Sequence, residues 1–290
     1  TILRRQRQMC IRDRSIVLKK LVQPFILRRV KTDKDIIKDL PDKVEHKQYC
    51  NLTKEQASLY EAIVQDVMEK LENVEGIKRK GLMLSTLMKL KQICNHPRQF
   101  LQDRSEFTPE RSQKLERLGE MSEEVISEGD SLLIFTQFTE IGEALQYYFK
   151  QSFHYNCYYL SGGTPRQKRE RMIREFQESE TEPSVFILSL KAGGVGITLT
   201  KANHVFHFDR WWNPAVEDQA TDRAFRIGQK KNVFVHKFIA LGTLEERIDQ
   251  MIEDKKKVAS AIVGSDESWL TELDNESFKK LIILNKQMVV

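Results

Sequence analysis

An α/β fold, with a parallel sheet flanked by helices and a helical protrusion ahead of it, is what this sequence predicts, on three observations. From about Ser112 onward, short apolar runs alternate with longer amphipathic ones, the pattern that gives parallel strands joined by crossover helices. Between Thr53 and Leu101 the apolar residues recur at spacings of three and four, which is helical. No run of eighteen apolar residues occurs and the N-terminus lacks an apolar signal core, so neither a membrane span nor secretion is indicated.

Composition narrows the class further. A hydrophobic content of 40% over 290 residues is enough for a sizeable core. Cys10, Cys50, Cys94 and Cys157 are scattered with no C-x-x-C pair, which argues against a disulfide framework or structural zinc and for a reducing, intracellular setting. That setting is cytoplasmic in a bacterium, or nuclear in a eukaryote. A formal charge of +5 permits a nucleic-acid partner without demanding one.

Along the chain, residues 1–17 look foreign: Met9–Ser15, reading MCIRDRS, resembles translated adapter read-through, with an ordinary basic tail as the alternative. Residues 18–52 read as a linker segment. Leu52–Lys54 lead into a helix carrying Ala57, Tyr60, Ile63, Val64, Val67, Met68 and Leu71, and a second follows near Leu82–Cys94 until Pro97 stops it. This helical protrusion is assigned to residues 53–111. His96, with no second ligand nearby, is expected to cap or pack. Over residues 112–258 the strands are expected at Leu132–Phe135, Tyr155–Leu160, Ser184–Ser189, His204–Phe208 and Val233–Ile239, with helices at Thr139–Phe149, Pro165–Gln177, Pro214–Arg226 and Thr243–Lys256. Such sheets bind ligands at the carboxyl ends of their strands. Within residues 259–290, Ser268–Leu284 is amphipathic and predicts a docking helix.

The stretch Asp209–Gln229, DRWWNPAVEDQATDRAFRIGQ, carries the most chemistry. Asn213 is a good N-cap, Pro214 suits the first helical position and Gly228 can close the end, so a helix of about three turns is expected. Gln219, Arg223 and Arg226 then fall at i, i+4 and i+7 on one face, where guanidinium forks match phosphate oxygens. A solvated face with ion pairs to Glu217, Asp218 and Asp222 is the bland alternative. Gly162, Gly163 and Thr164 precede a basic helix and form a junction suited to backbone phosphate. The loop Lys191–Gly196 lacks the G-x-G-x-x-G spacing of a dinucleotide fingerprint, and its glycines allow close backbone approach instead.

These segments carry a resemblance. WWNPAVEDQATDRAFRIGQ resembles the last helicase motif of the Swi/Snf family, DNA-translocating ATPases of helicase superfamily 2. VFILSLKAGGVGITLT (Val185–Thr200) looks like the family's motif V, YYLSGGTPRQKRERMIREF (Tyr158–Phe176) like the motif before it, and SLLIFTQF (Ser131–Phe138) like motif IV. Pro24–Lys43 and LKQICNHP (Leu90–Pro97) are similar to the linker and protrusion signatures, so the likeness runs in order from about Leu18.

The resemblance implies a RecA-like second lobe. Arg223 and Arg226, with Gln219, would complete an ATP site as arginine fingers, and Gly194 and Gly196 would lie on its nucleotide side. Gln137, Gly163, Thr164, Arg169, Ser189, Lys191 and Trp212 would face a duplex DNA backbone. No GxxxxGK(S/T) loop and no DEAH-like acidic strand end occurs. ATP and its Mg would therefore be held by an N-terminal RecA-like lobe, and this chain alone should not hydrolyse ATP. A strand-separating helicase lobe and a non-catalytic DNA-binding module are the alternatives.

Overall fold

Six strands, all paired in parallel, make one sheet in the order β1-β6-β5-β2-β4-β3: Lys43–Cys50, Ser131–Thr136, Asn156–Leu160, Ser184–Ser189, Ala202–His207 and Val233–Ala240 are β1 to β6. A computed structural model describes residues 40–103, 105–178, 182–190, 196–258 and 271–289. The central strands β2 and β4 are buried along their whole length, as expected of a sheet covered on both faces. One apolar cluster lies on each side: Leu132, Ile134, Val185, Ile187 and Phe206 point into the first, and Leu133, Phe135, Phe186, Leu188 and Val205 into the second.

Five strands fall where the sequence predicts them. The sixth, β1, corrects the reading of residues 18–52 as linker, because eight of them pair with β6 from Lys43↔Val233 to Cys50↔Ala240. Its composition, KVEHKQYC, hides it: the charged side chains sit at a sheet edge and gain partners only there. Lys47 pairs with Asp249 at 2.7 Å, and Glu45 with Lys237 at 2.7 Å. Lys237 and Lys43 outweigh the burial that opposes ionisation of Glu45, and its carboxyl lies down at about 2.

The helices are α1 (Lys54–Leu71), α2 (Gly76–Asn95), α3 (Pro97–Leu101), α4 (Gln113–Ser127), α5 (Thr139–Ser152), α6 (Arg166–Glu178), α7 (Pro214–Thr221), α8 (Leu244–Val258) and α9 (Asn275–Ile282). Thr53 and Gln56 form a reciprocal capping box that starts α1. Helix α2 begins earlier than predicted, at Gly76, whose φ of +57° needs glycine. Helix α4 was not anticipated as a separate element. The protrusion shares a core with the lobe: Tyr60, Val64, Leu87 and Leu90 pack with Leu244, Ile248 and Ile252 of α8 and Phe278 and Leu281 of α9. Within the predicted docking helix Ser268–Leu284, the described helix is Asn275–Ile282, capped by Asp274, and residues 268–270 lie outside the described residues. No helix among those residues is long and apolar enough to cross a membrane.

His96 takes the capping role. Its Nδ1 accepts from Arg98 N–H at 3.1 Å and its Nε2 lies 3.1 Å from the Thr108 carbonyl, so the neutral ring satisfies both sides. Cys50, Cys94 and Cys157 are buried free thiols, and Cys10 lies outside the described residues.

Candidate functional site

The carboxyl edge of the sheet gathers much of the expected DNA-facing set. β5, β2, β4 and β3 are successive neighbours, and Gln137, Ser189, Gly163 and Thr164 lie at or just beyond the ends of β2, β4 and β3. Ser189 is buried beside Thr136, its register partner. Gly163 is exposed in the turn after β3, and the Thr164 hydroxyl accepts from Ser161 N–H at 3.0 Å, closing that turn. Arg169 is half-buried on α6, and its Nε and the Gln137 Nε2 are both buried with no hydrogen-bond partner. Two orphaned donors along one edge leave capacity for an anionic ligand. Elsewhere on α6 the cations are partly neutralised, Arg166 by Glu170 at 2.8 Å and Arg171 by Glu175 at 3.6 Å.

A carboxylate that the motifs did not flag anchors this edge. Asp209, fully buried just past β5, accepts from Thr136 Oγ1 at 2.5 Å and from Gln137 N–H at 3.0 Å. It thereby fixes where β2 gives way to α5. Burial pushes its carboxyl above the usual range. Lys91 of α2, equally buried, donates to the Arg210 carbonyl and lies 4.3 Å over the Trp212 ring. Its neighbour Arg210 is bound by Glu217 at 2.9 Å and by Asp249. Lys114 meets Glu245 at 2.7 Å. Breaking such a buried pair from one side is costly, about 3–5 kcal/mol, so this network ties the protrusion to the strand end. Only buried charge in the fold reveals it.

Trp212 differs from the expectation. It is 5% exposed and packs in the core cluster formed with the protrusion, where Lys91 covers its ring, rather than lying open at the surface. The adjacent Trp211 is partly buried and packs on the other cluster.

The arginine helix is also shorter than expected. Asn213 caps α7 through Ala215 N–H at 3.0 Å, but the helix ends at Thr221, and Arg223 and Arg226 lie in the turns that follow. Tighter turns replace it, with Arg223 N–H donating to the Ala220 carbonyl at 3.1 Å and Ala224 N–H to the Thr221 carbonyl at 3.0 Å. The Arg223 carbonyl accepts from Leu199 N–H at 2.9 Å and the Ala224 carbonyl from Gln229 Nε2 at 3.2 Å, while Ala224 and Phe225 are buried. Gln219, Arg223 and Arg226 therefore do not share one helix face: Gln219 is exposed on α7, Arg223 is 7% exposed, and Arg226 is exposed. Nor does this segment stay at the carboxyl edge, since it runs back beside the approach to β5. There Arg226 Nη1 donates to the Gly196 carbonyl at 3.3 Å, joining two predicted nucleotide-side residues. Burial first, and the nearby Arg226 second, lower the proton affinity of Arg223. Gly194 and Lys191 lie outside the described residues. No group of three His, Cys, Asp or Glu side chains that could hold a metal occurs among the described residues.

Known proteins share this arrangement. Residues 113–228 match the helicase conserved C-terminal domain and residues 4–99 the SNF2-related domain, a match that starts upstream of Leu18. The chain is 45% identical over 269 residues to YwqA of Bacillus subtilis, named for ATP-dependent helicase/translocase activity, covering 92% of this chain and 29% of that protein. It is 37% identical to the human SWI/SNF-related actin-dependent regulator of chromatin subfamily A member 1, covering 88% of this chain and 25% of the human protein. Among solved structures, the Sulfolobus solfataricus SWI2/SNF2 ATPase core in complex with dsDNA superposes with a TM-score of 0.76 at 47% identity, over 92% of this chain and 56% of that one. The C-terminal domain of the Sulfolobus ATPase is covered completely, over 84% of this chain, with a TM-score of 0.73 at 43% identity. A RecA-like sheet, an arginine turn bonded to the loop before β5, and a likeness spanning the whole of a solved domain lead to one assignment: the chain belongs to the SWI2/SNF2 family of ATP-dependent helicases and translocases.

Proposed function

We propose that this chain acts as the second motor lobe of a duplex-DNA translocase, supplying Arg223 and Arg226 to ATP held, with Mg, by an N-terminal RecA-like lobe. The observation that carries this reading is the arginine turn itself. Arg226 projects from it into solvent, and Arg223 is held close enough to feel its charge. Burial first and Arg226 second disfavour the charged form of Arg223, and a polyphosphate brought beside it would offset both, so the turn fits the triphosphate. Bound ATP supplies the phosphoryl group that is transferred to water. The arginines would neutralise charge on its oxygens, Gly196 holding Arg226 in place through its carbonyl and Gln219 flanking them.

Gln137, Gly163, Thr164, Arg169 and Ser189 would grip the DNA backbone. Such contacts read phosphate and shape, so binding should be salt-sensitive and nearly indifferent to sequence. Closure of the two lobes on ATP and their release after hydrolysis would then move this edge along the duplex. Alone, the lobe should be inactive.

The test uses the two-lobed protein. Arg226→Ala or Arg223→Ala should lower DNA-stimulated kcat by about 10³-fold or more while the melting temperature stays near that of the parent. Turnover within about twofold of the parent in both variants would remove the arginines from the reaction. Strand displacement, measured on the same protein, should be absent if it translocates without unwinding.

A further inference from the structure

The arginine turn is not held by regular secondary structure, so something else must fix it. Gln229 is the group in position to do so. It is 5% exposed, and its Nε2 lies 3.0 Å from the Thr200 carbonyl, 2.9 Å from the Ala202 carbonyl and 3.2 Å from the Ala224 carbonyl. Its Oε1 accepts from the N–H groups of Lys230 at 2.9 Å and Lys231 at 3.0 Å. Two amide hydrogens serve three carbonyls, so one is shared, and both ends of the side chain are fully engaged. Ala224 lies between the two arginines in sequence, while Thr200 and Ala202 belong to the segment that also supplies Gly196 and Leu199. The backbone N–H of Gln229 donates to the Arg226 carbonyl at 2.9 Å, closing the turn through Gly228 at a φ of +102°.

We propose that Gln229 is a positioning residue: its amide clamps the arginine turn onto residues 196–202, so that both guanidinium groups meet the interlobe site already placed. This rests on the arginine assignment proposed above. The clamp makes the two segments one body. A carboxamide suits it because one end donates only and the other accepts only. A carboxylate would set its charge against three carbonyl oxygens, whereas a protonated carboxyl could again donate one hydrogen to them. A thioether of similar length would abandon all five contacts.

Gln229→Glu, Gln229→Met and Arg226→Ala in the two-lobed protein test this, with kcat and KM for ATP measured at saturating duplex DNA from about pH 5 to about pH 8. The assay temperature is kept below the melting transition of each folded variant. Gln229→Glu should lose about 10²-fold in kcat at the alkaline end, the scale of a displacement of about 1 Å, with KM for ATP changed by less than about twofold. Its kcat should recover as the pH falls and the carboxyl protonates. Gln229→Met should be depressed throughout, and neither the parent nor Arg226→Ala should show the recovery. Parent-like turnover of Gln229→Glu alongside an inactive Arg226→Ala overturns the clamp alone. Parent-like turnover of Arg226→Ala overturns the arginine assignment itself. A Gln229→Glu protein that is unfolded at the assay temperature, or one whose loss is independent of pH, assigns the residue a folding role and also overturns the proposal.

Discussion

His96 shows how one side chain couples local structure to solution conditions. Burial holds its imidazole down at about 4, below an ordinary value of 6.5, and its Nδ1 must stay unprotonated to accept from Arg98. Folding therefore disfavours the protonated ring. Its contribution is complete above pH 6.5 and is lost as the pH falls towards 4. Over that window His96 should steepen the acid-side decline in unfolding free energy by about 1.4 kcal/mol per pH unit, and urea melts of His96→Gln should lack that increment. His236, stacked between His46 and His204, is pushed lower still, to about 3, chiefly by burial, and adds to the same trend. The sequence allowed the capping reading of His96 because no second ligand stood near it. For Trp212 it allowed two, and burial under Lys91 decided for packing, since an ammonium from a distant helix is invisible in a local pattern.

At the level of elements, the starts of α1 and α7 were legible, whereas the end of α7 and the start of α2 were not. Thr53, which leads into α1, and Gln56 three residues on satisfy each other's backbone in the structure: Gln56 N–H lies 3.3 Å from Thr53 Oγ1, and Thr53 N–H lies 3.1 Å from Gln56 Oε1. Thr53→Ala should cost about 1 kcal/mol in a chemical denaturation experiment, and Thr53→Ser should recover most of it. Asn213 and Pro214 likewise set the start of α7 as anticipated. Its end was not legible. Gly228 is a plausible terminator, but the chain leaves the helix at Thr221, and beyond it the Arg223 carbonyl is taken by Leu199 from outside the segment and the Ala224 carbonyl by Gln229 at its end. The two arginines could be named from the sequence as candidates, yet where they lie depends on those bonds.

For the whole molecule, β1 is the element on which the edge of the sheet depends. It covers β6 over eight register pairs and brings Lys47 to Asp249 and Glu45 to Lys237. A chain starting at Asn51 would bare the β6 edge, together with buried Phe238 and Ile239, and unpaired edges recruit other chains. Size-exclusion chromatography should show it self-associating or aggregating where the parent does not, and unchanged elution would deny β1 that protective role. What the sequence by itself determined was the α/β class, five of the six strands, the helices of the protrusion and the family, because each follows from periodicity or a contiguous motif. Only the tertiary structure decided that a charged segment is a strand, that the arginine helix stops early, and that Asp209, Lys91 and Gln229 hold the site's edges. Each of those outcomes involves hydrogen bonds or ion pairs between residues far apart in the chain, such as Leu199 with Arg223 and Thr200 with Gln229, and a local pattern does not reveal them.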